Sequence, residues 1–232
     1  MFLKICGIRN LDDASYAVDQ GATALGFVLW PRSPRYVERD AVARIVAQLP
    51  ATVTTVGVFV NESSDEIART MERTNLTAVQ LHGDEPATYA QELAWPILKS
   101  VTLATAGEIL ATWSDDTTLL VDAADMDRRG GTGQQVDWAA AAPLARARRL
   151  VLAGGLTPAN VADAIAAVRP YGVDVSSGVE DAPGVKNPEK VGRFLTAARK
   201  AMMTGDVTTG DVTPGGVTTG GVGRPFRGAM EK

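Results

Sequence analysis

The feature that most constrains this chain is a recurrence of short apolar runs rich in β-branched residues. They are Leu3–Cys6, Ala24–Val28, Val53–Val60, Ala78–Leu81, Ile97–Val101, Leu119–Asp122, Leu150–Ala153 and Val173–Val175. Neighbouring runs end about 24 residues apart, the length of one strand plus one helix and its turns. Helix-like stretches fill the intervals: Asp12–Gln20, Glu38–Leu49, Ser64–Arg73, Glu85–Leu93, Ala106–Trp113, Val136–Ala147, Pro158–Val168 and Pro188–Ala201. Asn10 precedes the first as a cap. Thr157-Pro158 and Asn187-Pro188 each place a capping side chain before a proline at the first helical position. Most of the runs are continuous rather than alternating, as in strands covered on both faces. Repeated strand–helix units with right-handed crossovers predict a (β/α)8 barrel over residues 1–201. A doubly wound open sheet is the alternative, because it needs no fixed number of units.

The composition changes from Met202 onward. The stretch GDVTTGDVTPGGVTTGG cycles through Gly, Asp, Val and Thr, and residues 202–232 hold 8 of the chain's 23 glycines. No apolar periodicity of either kind runs through it, and such a segment buries too little surface to offset its ordering entropy. The sequence therefore predicts one folded domain followed by a disordered tail. The net charge of −4 argues against a nucleic-acid or anionic-membrane partner, whose binding usually leaves a basic surplus. No run approaches the length of a membrane span, and the N-terminal residues lack the layout of a signal peptide, so a cytoplasmic domain is expected. One cysteine and one histidine exclude an internal disulfide and the zinc sites built from several such ligands.

In a barrel, chemistry sits at the C-terminal ends of the strands and in the loops that follow. The polar residues collect there. The first run ends in Cys6-Gly7, the fourth in Gln80-Leu81-His82-Gly83 and the sixth in Asp122; the seventh runs into Gly154-Gly155 and the eighth into Ser176-Ser177-Gly178. Each leaves two readings. Cys6 is a small buried hydrophobe, or a thiolate acting as base or nucleophile. Asp122 braces a loop, or serves as an acid held at the end of an apolar strand, where an ionised carboxylate is costly without a partner or a task. His82 is a hydrogen-bonded supporting residue, or a substrate contact. Lys4 lies on the same face as Cys6 but deeper, which favours an interior ion pair with Asp174 over a Schiff base. The two Gly- and Ser-rich loops after strands seven and eight suit a phosphate held by backbone amides. Arg32 and Arg35, in the loop Trp30-Pro31-Arg32-Ser33-Pro34-Arg35-Tyr36, either clamp an anion or face solvent. Gly130-Gly131-Thr132-Gly133 does not open directly from a strand, so it reads as part of a mobile lid rather than a nucleotide fingerprint.

Taken in order, LKICGI, GFVLWPRSPRY, VGVFVN, VQLHGDE, LLVDA with GGTGQQVDW, LAGGLTPANV and VDVSSGVE with PGVKNP resemble the phosphoribosylanthranilate isomerase family across residues 2–201. The tail lies outside that resemblance. It implies a barrel that converts N-(5-phosphoribosyl)anthranilate to the corresponding 1-deoxyribulose phosphate by an Amadori rearrangement in tryptophan biosynthesis. Carried onto this chain, it implies Cys6 and Asp122 as the catalytic pair, Arg35 as the partner of the anthranilate carboxylate, and phosphate contacts at Gly154, Gly155, Ser177 and Gly178. His82 is grouped with the substrate-binding residues by its position. The resemblance implies a small-molecule substrate, no cofactor or metal, and either a monomer or a homodimer. Two neighbouring barrel classes fit less well. A histidine-pathway isomerase would carry aspartates at the ends of strands one and five, where this chain has Cys6 and Lys99-Ser100-Val101. An indole-glycerol-phosphate synthase would need a catalytic lysine, for which Lys99 is the candidate. A phosphate-binding barrel without catalysis remains the alternative function.

Overall fold

A computed structural model describes residues 1–123 and 136–205. Eight parallel strands close into a barrel in sequence order, with the last strand, β8, paired to the first, β1. The strands are β1 (Phe2–Cys6), β2 (Ala24–Val28), β3 (Thr54–Phe59), β4 (Ala78–Leu81), β5 (Ile97–Val101), β6 (Thr118–Val121), β7 (Leu150–Leu152) and β8 (Gly172–Val175). The closed ring excludes the open-sheet alternative. Helices alternate with the strands as α1 (Leu11–Asp19), α2 (Arg39–Val46), α3 (Ser64–Thr74), α4 (Tyr89–Glu92), α5 (Ala106–Thr112), α6 (Trp138–Ala147), α7 (Val161–Val168) and α8 (Pro188–Gly205). A short hairpin, β9 (Glu180–Ala182) with β10 (Val185–Lys186), stands between β8 and α8.

The apolar runs are strands because both of their faces are covered. Leu3, Ile5, Leu25, Phe27 and Leu119 point outward into one continuous layer with helix residues such as Ile67, Met71, Phe194 and Leu195. Inward-facing Phe2, Ala24, Val56, Ala78, Leu98, Leu120 and Val151 fill the lower barrel. Strand alternation then carries the inward face upward from Phe2 to Lys4 to Cys6. The β1–β8 register sets Lys4 beside Asp174, and their charged atoms lie 3.0 Å apart in the interior. This is an ion pair by distance, without hydrogen-bond geometry at Lys4 Nζ. It is the pair expected from the sequence.

The local capping signals held at some helices and not at others. Asn10 accepts from the Asp13 amide at 2.8 Å, and Asn187 accepts from the Lys190 amide at 2.9 Å, directly before Pro188. At α7 the helix begins at Val161 instead of Pro158. Asn160 accepts from the Thr157 amide at 2.7 Å and donates to Gly155 O at 3.0 Å, so its side chain braces the loop after β7. The fourth helix is one turn rather than the expected Glu85–Leu93. The Glu85 carboxylate is drawn inward, where it accepts from the Asn61 and Gly83 amides and pairs with Lys99 Nζ at 2.7 Å. Helix α8 continues four residues beyond the expected boundary at Ala201. The expected lid at Gly130–Gly133 and most of the expected tail lie outside the described residues.

Candidate active site

Cys6 ends β1 with its side chain turned inward. It packs against Val28, Val58 and the half-buried Trp30. Gly26, its register partner on β2, makes this possible: a Cβ there would come within 2.8 Å of Cys6 Sγ and 3.1 Å of Lys4 Nζ. Burial pushes the Cys6 thiol up, and Asp174 adds to that effect; Lys4 and Lys186 pull the other way without overcoming it. Sulfur therefore holds its proton at neutral pH. Burial also opposes the charge on Lys4, but Asp174 and Cys6 outweigh it and hold the ammonium above its ordinary value.

Asp122 follows β6. Its amide donates to Val101 O at 3.0 Å, and its carboxylate accepts from the Ala123 amide at 2.8 Å. Burial raises this carboxyl to about 6, with Asp174 adding to the rise; the Ala123 amide, Lys4 and Arg35 oppose it. The group is thus a carboxylic acid in an appreciable fraction of molecules near neutrality, about a tenth at pH 7. Gly154 lets the β6 and β7 loops meet. Its φ is +75°, and a Cβ would approach Ala123 N at 2.7 Å and Asp122 Oδ1 at 3.0 Å.

Gly155 continues the turn at φ +66°. Ser177 and Gly178 lie in a single 3₁₀ turn after β8. The two loops touch: a Cβ on Gly178 would fall 1.8 Å from Leu156 O. Asp122, Gly154, Gly155, Ser176 and Ser177 line one small pocket with Asp174 at its base. A larger groove of about 820 Å³ lies outside the barrel between α7 and α8, lined by residues such as Ile165, Tyr171 and Ala197, and carries none of the candidate residues.

The arginines separate. Arg32 is exposed. Arg35 reaches back over β1, its Cδ 2.8 Å from where a Cβ on Gly7 would lie. It donates through Nε and Nη2 to the two oxygens of Glu180, at 2.9 and 2.7 Å. Despite partial burial, that carboxylate holds the guanidinium above its ordinary value. Lys186 Nζ shares Glu180 Oε1 at 2.8 Å. Glu180 and Lys186 draw no role from the sequence pattern, although they lie within VDVSSGVE and PGVKNP. The signal that marks them is a glutamate and a lysine flanking a Pro-Gly turn just past the phosphate loop.

His82 stands at the same mouth, half-buried, with Nδ1 2.6 Å from Ser100 Oγ and 3.0 Å from Gln80 Nε2. Lys99 is committed to Glu85 and to Gly83 O, each at 2.7 Å, which leaves it a loop brace rather than a catalytic amine.

A family model described as N-(5'phosphoribosyl)anthranilate (PRA) isomerase matches residues 3–197. The chain belongs to the phosphoribosylanthranilate isomerase family. A relative from Citrifermentans bemidjiense named N-(5'-phosphoribosyl)anthranilate isomerase is 47% identical over 200 residues, covering 85% of this chain and 97% of that one. The relative of that name from Myxococcus xanthus is 42% identical over 203 residues, covering 85% and 95%. Among solved structures, the family member from Thermotoga maritima superposes with a TM-score of 0.80 at 38% identity, covering 86% of this chain and 99% of its own. Another structure of the isomerase, in complex with reduced 1-(o-carboxyphenylamino)-1-deoxyribulose 5-phosphate, has a TM-score of 0.77 at 38% identity, with the same coverage. Family and fold thus agree with the barrel. Among the described residues, no helix is long and apolar enough to cross a membrane.

Proposed function

We propose that the chain isomerises N-(5'-phosphoribosyl)anthranilate to 1-(o-carboxyphenylamino)-1-deoxyribulose 5-phosphate in tryptophan biosynthesis, in the cytoplasm. The observation that supports this reading is an acid and a pair of Gly- and Ser-rich loops around one pocket at the barrel mouth where the strand bearing Cys6 also ends. Asp122, with its raised carboxyl, lines one pocket with Gly154, Gly155 and Ser177, and Cys6 ends the inward face of β1 beside Val28 and Val58 at the same end of the barrel.

The phosphate is held by the amides of Gly154, Gly155, Ser177 and Gly178, and the anthranilate carboxylate by Arg35. Asp122, protonated, gives its proton to the ribose ring oxygen as the C1–O bond breaks. The aryl nitrogen supplies the electron pair and becomes an iminium. That cation acidifies the C2 proton, which Cys6 as thiolate removes to leave an enolamine, and tautomerisation gives the ketone. His82, held through Nδ1 by Ser100 and Gln80, is a supporting substrate-site residue at the end of β4. The substrate carries its own electron sink, so no cofactor or metal takes part.

The surrounding groups favour thiol and carboxylate near neutrality, whereas ring opening needs the carboxylic acid and the C2 deprotonation that follows needs the thiolate. Both arrangements hold one proton between the two groups. The productive one is the minor tautomer, and the chemistry returns the pair to the major one. Catalysis thus runs with the enzyme's own proton preference, and the return of the proton from sulfur to carboxyl resets it.

The test is a steady-state assay following loss of the substrate's anthranilate fluorescence. The Cys6→Ser variant is expected to lose about 10²- to 10⁴-fold in kcat with a much smaller change in KM. Near-full turnover by that variant removes Cys6 as the base. A wild type that binds the substrate and does not turn it over supports a phosphate-binding barrel without catalysis.

A further inference from the structure

Glu180 and Lys186 perform no step of the reaction above, yet their side chains are only 4% and 2% exposed. Their contacts join parts of the site that are distant in sequence. Glu180 grips Arg35 across 145 positions, and Lys186 Nζ donates to Ser176 O at 3.2 Å as well as to Glu180. Ser176 Oγ in turn donates to Cys6 O at 3.1 Å. The hairpin β9–β10 therefore ties the ends of β1 and β8 to the arginine of the β2–α2 loop.

The geometry of the grip matters. Glu180 occupies the Nε–Nη2 edge of the guanidinium in a two-bond fork. The opposite end, Nη1 with the second proton of Nη2, is not used by that fork. Charge adds a second constraint. Arg35 with Glu180 alone would be neutral and would offer an incoming carboxylate no net attraction. Lys186 brings the cluster to one positive charge, which matches one carboxylate.

We propose that Glu180 is a positioning residue for Arg35. Backed by Lys186, it aims the free end of the guanidinium at the substrate's carboxylate and sets this subsite to accept an N-aryl group bearing one negative charge. Fixing a long side chain in advance removes an ordering cost that binding would otherwise carry. The inference rests on the substrate assigned above, and its test separates the two.

Two pairs of measurements decide it. The first is KM and kcat for N-(5'-phosphoribosyl)anthranilate in wild type and Glu180→Gln. The second is the dissociation constant, by calorimetry, of reduced 1-(o-carboxyphenylamino)-1-deoxyribulose 5-phosphate and of its counterpart without the carboxylate. Glu180→Gln is expected to raise KM, and to weaken the carboxylated ligand, by about tenfold or more, while kcat and the affinity of the carboxylate-free ligand stay near wild type. Because Glu180→Gln leaves two buried cations together, the double variant Glu180→Gln with Lys186→Met serves as a second probe. It restores a single positive charge without the fork, so its melting temperature should recover while KM stays high. Equal weakening of both ligands, or an unchanged KM in a folded variant, overturns the proposal. A wild type without turnover overturns the substrate assignment instead.

Discussion

Replacing Asp122 with asparagine should make the protein more stable, and more so as the pH rises. Burial holds the Asp122 carboxyl at about 6, against 3.8 for an ordinary aspartate. The folded state therefore binds this proton more tightly than the unfolded state. Below pH 4 both states are protonated and the group costs little. Between pH 4 and pH 6 the unfolded chain ionises first, and folding must hold a carboxyl away from its preferred form. Above pH 6 the full cost is present, about 3 kcal/mol at about 1.4 kcal/mol per pH unit. Because Asp122 keeps some contact with solvent, this is an upper figure. Asparagine can keep the acceptor bond from the Ala123 amide and carries no charge. The measurement is urea unfolding of wild type and Asp122→Asn from pH 4 to pH 8. The difference in unfolding free energy should grow across that window and level off above pH 6.5. A difference that is flat with pH, or a variant less stable than wild type at pH 8, would refute the reasoning.

Other outcomes follow from the same geometry. The pH profile of kcat/KM should rise through about 6, where the Asp122 carboxyl titrates, and fall only on the alkaline side, because the Cys6 thiol is held above its ordinary value; Asp122→Asn should erase the acid limb along with most of the rate. Dialysis against EDTA should leave kcat and KM unchanged, and a loss restored by one added metal would contradict the cofactor-free mechanism. Removing residues 206–232 should leave activity and melting temperature unchanged, since every described element, α8 included, lies within residues 1–205; a clear drop in either would give the tail a structural role.

The barrel was legible because burial on both faces makes each strand an unbroken apolar run, and because eight such runs recur at one strand–helix interval. The position of the candidate site was legible for a related reason. Cys6 and Asp122 interrupt the apolar pattern at the C-terminal ends of their strands, while their catalytic roles come from the family resemblance and not from the pattern. The misreadings at α4 and α7 share one cause. Glu85 and the Thr157–Asn160 stretch look like helix starts in isolation, but their side chains brace loops at the mouth. Local capping preference gives way where the backbone is held for a site. The Arg35–Glu180 fork was not legible, because no periodicity links residues 145 positions apart. The protonation of Cys6 was not legible either, since it depends on the balance between desolvation and the ammonium groups of Lys4 and Lys186.

The seam between β1 and β8 has a consequence for how the protein is made. Cys6 leaves the ribosome long before Ser176, Glu180 and Lys186, since the bond from Ser176 to Cys6 O spans 170 positions. Contacts of such separation form late, because the loop they close must be paid for before they contribute. A nascent chain therefore carries its sulfur through the synthesis of those intervening residues without the lysine and the hairpin that complete the mouth. Activity appears only when the ring shuts, so turnover is itself a clock for barrel closure, and a chain cut before Glu180 is expected to be inactive rather than partly active.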